Sequence, residues 1–116
     1  MSSIPVFSDT IFNTGTALTA PGDGNTVQVA ENDLFSTKAY TLITKVATID
    51  TNVIVRLDGS IDGTNFAPII GNTTITANGN SVVSVGDRPV KFIKPVWVSE
   101  SGGTNAVVTF FLAASA

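Results

Sequence analysis

Cysteine and histidine are both absent from the 116 residues. Without thiols the chain forms no disulfide and offers no thiolate nucleophile, and the usual sulfur and imidazole ligand sets for zinc are missing. Without imidazole, every triad built on a histidine base is excluded. Charge is scarce as well: Asp, Glu, Lys and Arg make up 13% of the sequence, with a net charge of −3. The six bases are scattered singly, so the basic patch of a nucleic-acid binder is missing. No apolar run approaches the roughly 20 residues that cross a bilayer as a helix. The first ten residues lack the basic and apolar segments of a secretory signal. The expectation is a protein made in a cytosol and not secreted, with neither nucleic acid nor membrane among its partners.

What is present describes a folded β protein. Hydrophobic residues make up 43% of the chain, and ten glycines and five prolines punctuate it. The length suits one domain with a real core. Between the punctuation marks, apolar residues alternate with period two, the signature of half-buried strands. Strands are expected over residues 11–20, 26–30, 38–49, 53–57, 66–70, 73–77, 81–85, 90–99 and 104–113. Eight or nine short strands with turns about every ten residues indicate an all-β fold: an antiparallel β-sandwich, jelly-roll-like. Residues 1–10 read as an N-terminal arm and 11–116 as a single sandwich domain.

Local signals suggest hairpins. In 38–49, Tyr40, Leu42, Thr44 and Val46 share one face, and Ala39, Thr41, Ile43, Lys45 and Ala47 share the other. Val53, Val55 and Leu57 repeat the inward pattern after Asp50-Thr51-Asn52, with Ile54, Arg56 and Asp58 outward, so the two segments read as a central hairpin. Asn78-Gly79 suits a type I′ turn, and Gly102-Gly103 joins the last two strands in the same way.

The most polar cluster is Asp58-Gly59-Ser60-Ile61-Asp62-Gly63-Thr64-Asn65. Asp58, Ser60, Asp62 and Gly63 fall where a calcium loop has its first ligands and glycine, yet Ile69 stands where the bidentate Glu belongs, and the flanks are strands. The competing reading is a glycine-assisted turn in which Asp and Asn side chains accept nearby backbone N–H groups. The turn reading is the stronger, and no metal is expected. Asp58 and Asp62 as a glycosidase pair would need one carboxyl buried, whereas both are expected to face water. Ser60 has no base near it in sequence, and Lys38 or Lys45 as its partner is unconstrained. Catalytic residues and cofactors are therefore expected to be none.

Trp97 and Tyr40 suit either a sugar-stacking platform or packing in a core or interface. Asn72-Thr73-Thr74 matches a glycosylation acceptor by chance if the chain is not secreted. Arg56 and Arg88 suit ion pairs or interface contacts, of small worth at exposed positions. In the last strand Val107, Val108, Phe110, Phe111 and Leu112 place apolar groups on both faces. Such a strand is either central in the sandwich or covered by a second subunit. The arm, with Ile4, Val6 and Phe7 around Pro5, either docks on a neighbour or frays.

The run Val53-Ile54-Val55-Arg56-Leu57-Asp58-Gly59-Ser60-Ile61-Asp62-Gly63-Thr64-Asn65-Phe66-Ala67-Pro68-Ile69 resembles a pattern of small tailed-bacteriophage virion proteins. There a strand of the type Val-x-Val-x-Leu-x-Gly-Ser leads into Asp-Gly-Thr-Asn and an aromatic. Phe66 holds the place where Trp is frequent. Pro89-Val90-Lys91-Phe92-Ile93-Lys94-Pro95-Val96-Trp97-Val98, followed by Ser101-Gly102-Gly103-Thr104, resembles the second half of that pattern. The resemblance implies a capsid decoration, or cement, protein: a non-enzymatic homo-oligomer, commonly a trimer, on the exterior of the head, clamping subunits of the major capsid protein. The expected contacts are Ile4, Val6, Phe7, Trp97, Phe110, Phe111 and Leu112. The alternative within the same setting is a tail, baseplate or fibre module that binds host glycan.

Overall fold

A computed structural model describes residues 9–13, 17–29 and 39–115 of the chain. They form nine strands: β1 (Asp9–Asn13), β2 (Gly22–Asp23), β3 (Val27–Gln28), β4 (Ala39–Ala47), β5 (Asn52–Ser60), β6 (Ala67–Ile75), β7 (Gly79–Val85), β8 (Phe92–Ser101) and β9 (Val107–Ser115). All pairings are antiparallel. Sheet A has the order β1-β9-β4-β7 and sheet B the order β2-β8-β5-β6, with β3 also pairing with β8. Consecutive strands change sheet at every step except β2 to β3 and β5 to β6. With β2 and β3 counted as one broken strand, this is the winding of a jelly roll. The all-β sandwich expected from the period-two pattern is the fold found.

Alternation builds the core. On sheet A, Tyr40, Leu42 and Val46 of β4 and Val108, Phe110, Leu112 and Ala114 of β9 point inward. On sheet B, Val53, Val55 and Leu57 of β5 and Ile93 and Trp97 of β8 meet them. Each large side chain buried here stabilises the fold by about 1.5–3 kcal/mol relative to exposure. The Trp97 indole N–H is satisfied by the Ser99 carbonyl at 2.9 Å. Between the pairs Ile54 with Ser99 and Val55 with Trp97, β8 holds one extra residue, Val98, and this bulge fits Trp97 to the inner face.

The local hairpins do not form. β4 and β5 lie in opposite sheets, as do β6 and β7, and β8 and β9. A strand pair with one apolar face each has the same sequence pattern whether the strands lie side by side or face each other across a core. The turn residues make corners instead. Thr48 carries φ 52° at the β4–β5 corner, and at Asn78-Gly79 the glycine alone has positive φ, 115°, so no type I′ turn is present. The Asn78 Oδ1 accepts the Ile49 N–H at 2.8 Å, tying the β6–β7 corner to the β4–β5 corner. Asp50 accepts the backbone N–H of Asn105 at 3.0 Å, and the Thr48 hydroxyl donates to the Asn105 carbonyl at 2.9 Å, adding the β8–β9 corner. A Cβ on Gly103 would sit 2.6 Å from the Asp50 carboxylate, which is why the last corner needs glycine.

Several boundaries differ from expectation. Asp9 and Thr10 pair with Ser115 and Ala114, so β1 includes the two residues before Ile11. The strands expected over 66–70 and 73–77 are parts of one strand, β6, which runs from Ala67 to Ile75; Gly71-Asn72 is a bulge opposite Arg56, where the pairing with β5 slips. Of the strand expected over 11–20, β1 covers 11–13, and Leu18 makes a single bridge to Val108.

Candidate functional site

Two outer faces are left by the sandwich, and they differ in chemistry. On sheet A, strand register aligns Phe111 of β9 with Ile43 of β4, and Ile43 with Val82 of β7. Directly opposed residues project to one side of a sheet, so these three form an apolar row across the outer face. Phe111 and Ile43 are half-buried, and Val82 is 60% exposed. Beside the row lies a shallow apolar depression of about 90 Å³ lined by Thr41, Ile43, Phe111, Leu112 and Ala113. Neighbouring outward positions on these strands are Ala, Thr, Ser and Asn, with Lys45 at one end. A face of this kind suits contact with another protein surface better than capture of a polar small molecule.

The outer face of sheet B carries charge. Arg56 grips Asp58 through two bonds, Nε to Oδ1 at 2.8 Å and Nη2 to Oδ2 at 3.3 Å. That carboxylate holds the guanidinium pKa above its ordinary value. Lys94, opposite Asp58 in register, places Nζ 3.2 Å from Asp23 Oδ2 and 4.3 Å from the centre of the Phe66 ring. Asp58 is therefore not a water-facing turn residue: it lies within β5 and is 4% exposed.

Asp62 faces the solvent as expected and organises the β5–β6 loop. One carboxylate oxygen accepts the N–H groups of Asn65 and Thr64, each at 2.8 Å, and the Ser60 hydroxyl at 2.9 Å. The other accepts the Asn65 amide at 2.7 Å. Ser60 Oγ in turn accepts the Gly63 N–H at 2.9 Å. This is the locally bonded turn, and its acids are committed to protein donors. Among the described residues, no group of three or more acidic side chains is placed to hold a metal ion. The backbone N–H of Asn65, followed by that of Thr64 and the side chains of Asn65 and Ser60, holds the Asp62 carboxyl well below its ordinary value. Asp50 is lowered in the same sense, chiefly by the Asn105 N–H.

A pH dependence follows from those two directions. A carboxyl whose folded pKa lies below its unfolded value contributes stability that is complete above the unfolded value, about 3.9, and is lost as pH falls through the folded one. The thermal midpoint should therefore decline below about pH 4. In Asp62→Asn the amide keeps an acceptor oxygen but cannot titrate, so the decline should be shallower. Midpoints measured from neutral to strongly acid pH check this, and parallel acid limbs for the two proteins would count against it.

The residues expected as contacts or platforms are distributed unevenly. Trp97, Phe110 and Leu112 are each 1% exposed and belong to the core, so the monomer does not offer them to a partner. Tyr40, also 1% exposed, brings its hydroxyl to 3.5 Å from the Val90 carbonyl and presents no ring face outward. The sugar-stacking platform of Trp97 and Tyr40 is thereby overturned. Phe111 lies on the outer face of sheet A, while Ile4, Val6 and Phe7 lie outside the described residues. Arg56 is an ion-pair residue, as expected; Arg88 is exposed, with its guanidinium on the Asp87 carbonyl at 3.2 Å. Ile43 and Val82 were not singled out from the sequence. Alternation does place Ile43 outward, but Val82 joins it only once β7 is known to pair with β4.

No family model matches the chain, and no curated protein matches it. Among solved structures, the SPBc2 prophage-derived protein YomS aligns over 99% of this chain and 98% of its own, with 14% identity and a TM-score of 0.61. A protein of Bacillus endospore appendages, described as disulfide-linked pili, aligns over 100% of this chain and 98% of its own at 10% identity, with a TM-score of 0.37. The coat protein of tobacco streak virus aligns over 98% and 90% at 10% identity, also with a TM-score of 0.37. The likeness to YomS is one of fold over the whole chain; the other two are too distant to carry an argument. Among the described residues there is no helix long and apolar enough to cross a membrane.

Proposed function

We propose that this chain is a non-enzymatic bacteriophage virion protein of the capsid decoration type, which binds the exterior of the head as a homo-oligomer and stabilises the shell by bridging subunits of the major capsid protein. The observation that carries this reading is the jelly-roll sandwich, shared in fold along its length with a prophage-derived protein. Two features support it. The outer face of sheet A is an apolar, nearly uncharged surface suited to protein contact, with Phe111 and Ile43 at its centre. The acids that would be first candidates for catalysis are engaged, Asp58 by Arg56 and Asp62 by its own loop. Contact is assigned to Phe111 and to the arm residues Ile4, Val6 and Phe7. Such a protein works by mass action: binding the assembled shell and not its loosened form stabilises the former by RT ln(1 + [L]/Kd).

Deleting the gene from the phage that encodes it tests the reading. The expected particles keep intact tails and adsorb normally, but release DNA at lower temperature or on chelation, and added protein restores them. Particles that lose adsorption while their heads stay heat-stable would overturn it in favour of a tail or fibre module.

A further inference from the structure

A strand at the boundary of a sheet carries a row of unpaired N–H and C=O groups, and proteins blunt such edges with short strands, prolines, charges or bulges. This sandwich treats its edges unequally. One edge of sheet B is made by β2 and β3, of two residues each. The other, β6, contains Pro68 and slips register against β5 between Val55 and Leu57 and again between Leu57 and Asp58. β7, the edge of sheet A beside β4, has none of these devices. Its seven residues run in unbroken register from Gly79 opposite Val46 to Val85 opposite Tyr40, with no proline and no charged side chain. The charge-free stretch extends from Gly63 through Gly86.

We propose that β7 is the surface through which two copies of this chain associate, pairing antiparallel, edge to edge, about a twofold axis at Val82. Two four-stranded sheets A would then continue as one. The occupant is a second copy because the edge is complementary to itself. About an axis at Val82, that residue meets Val82 of the second copy, Ser81 meets Val83, and Asn80 meets Ser84, so an isologous contact places apolar against apolar and polar against polar on the outer side. The row Phe111, Ile43, Val82 runs on into the same row of the second copy in reverse order, and Val82, 60% exposed in the single chain, is covered. Val83 and Val85, half-buried on the inner side, gain cover from the added strand. Each molecule has a net charge of −3, yet the strip where they meet contributes no like-charge repulsion. A partner recognised by opposite charge finds nothing on β7 to pair with.

This inference deepens the self-association in the proposed function, and it names a dimer in place of the trimer implied by the sequence resemblance. It holds whether or not the chain binds a shell. Sedimentation equilibrium and native mass measurement of the purified full chain test it, comparing wild type with Val82→Lys and with Ile61→Lys as control. Ile61, 63% exposed in the β5–β6 loop, is an apolar surface residue away from β7. Wild type and Ile61→Lys should have twice the chain mass. Val82→Lys brings two like charges together at the axis and should raise the dissociation constant by about a hundredfold or more, with unchanged circular dichroism. Amide hydrogen exchange of the wild type should show β7 protected in concentrated solution and less so on dilution. A monomer at every concentration, a mass of three chains, or a dimer indifferent to Val82→Lys would each overturn the proposal. Gene-deletion particles read the shell and sedimentation reads the pair, so failure of one is distinguishable from failure of the other.

Discussion

Phe110→Ala should lower the unfolding free energy by about 3–5 kcal/mol, whereas Phe111→Ala, one position along the same strand, should lower it by about 1 kcal/mol. The two side chains are chemically identical and lie on opposite faces of β9. Phe110 is 1% exposed and packs in the core with Val108 and Leu112, so truncation leaves a cavity that the surrounding strands cannot fill. Phe111 is half-buried on the outer face of sheet A, where water or a shifted neighbour replaces what is removed. Urea titration of the two variants at a concentration where wild type is monomeric provides the check, with the slope of the transition unchanged and only its midpoint displaced. Equal losses would show that Phe111 belongs to the core and would remove the apolar row. The functional effects should be reversed in rank: properly folded Phe111→Ala should be retained more weakly on particles.

Period two made the sandwich legible in the sequence, and it made the faces of β4 legible residue by residue, from Tyr40 buried to Lys45 exposed. The connections were not legible, for a physical reason. Asp50-Thr51-Asn52, Asn78-Gly79 and Gly102-Gly103 each encode a reversal of the chain, but not whether the strands on either side share a sheet. That choice depends on which apolar faces meet across the core, as Leu42 and Val55 do from opposite sheets. Bonds between distant corners, such as Asp50 to Asn105, then hold it, and such partners have no signature in either local segment.

The candidate site was legible to a similar degree. Asp62 and its turn followed from residue types at close spacing, because every partner lies within three positions along the chain. Asp58 was misread as exposed because its burial comes from outside its own segment. Lys94 stands opposite it on β8, and the loop to β6 brings Phe66 to the Lys94 side chain. Trp97, Phe110 and Leu112 drew attention as large apolar groups, but size alone does not distinguish a core from an interface. Outward apolar residues were the informative ones, and recognising Val82 among them required the β7 to β4 register.

Arg56→Met should lower the unfolding free energy by about 2–3 kcal/mol, less than the roughly 3–5 kcal/mol for breaking a fully buried ion pair, because water reaches part of the guanidinium. The loss arises from what is left behind. Asp58 is 4% exposed, and without Arg56 its carboxylate faces Lys94, whose ammonium already lies 3.2 Å from Asp23. The pair itself contributes little beyond what well-packed apolar side chains would supply, since both charges were drawn from water to form it. Arg56→Met/Asp58→Leu should therefore recover most of the stability lost in Arg56→Met alone. Denaturant unfolding of wild type, both single variants and the double variant closes the cycle, with a coupling at least as large as the stability recovered, about 2 kcal/mol or more. Additive losses, with no recovery in the double variant, would mean that Arg56 acts through the packing of its stem over Val96 and β8, and that the Asp58 carboxylate is satisfied without it.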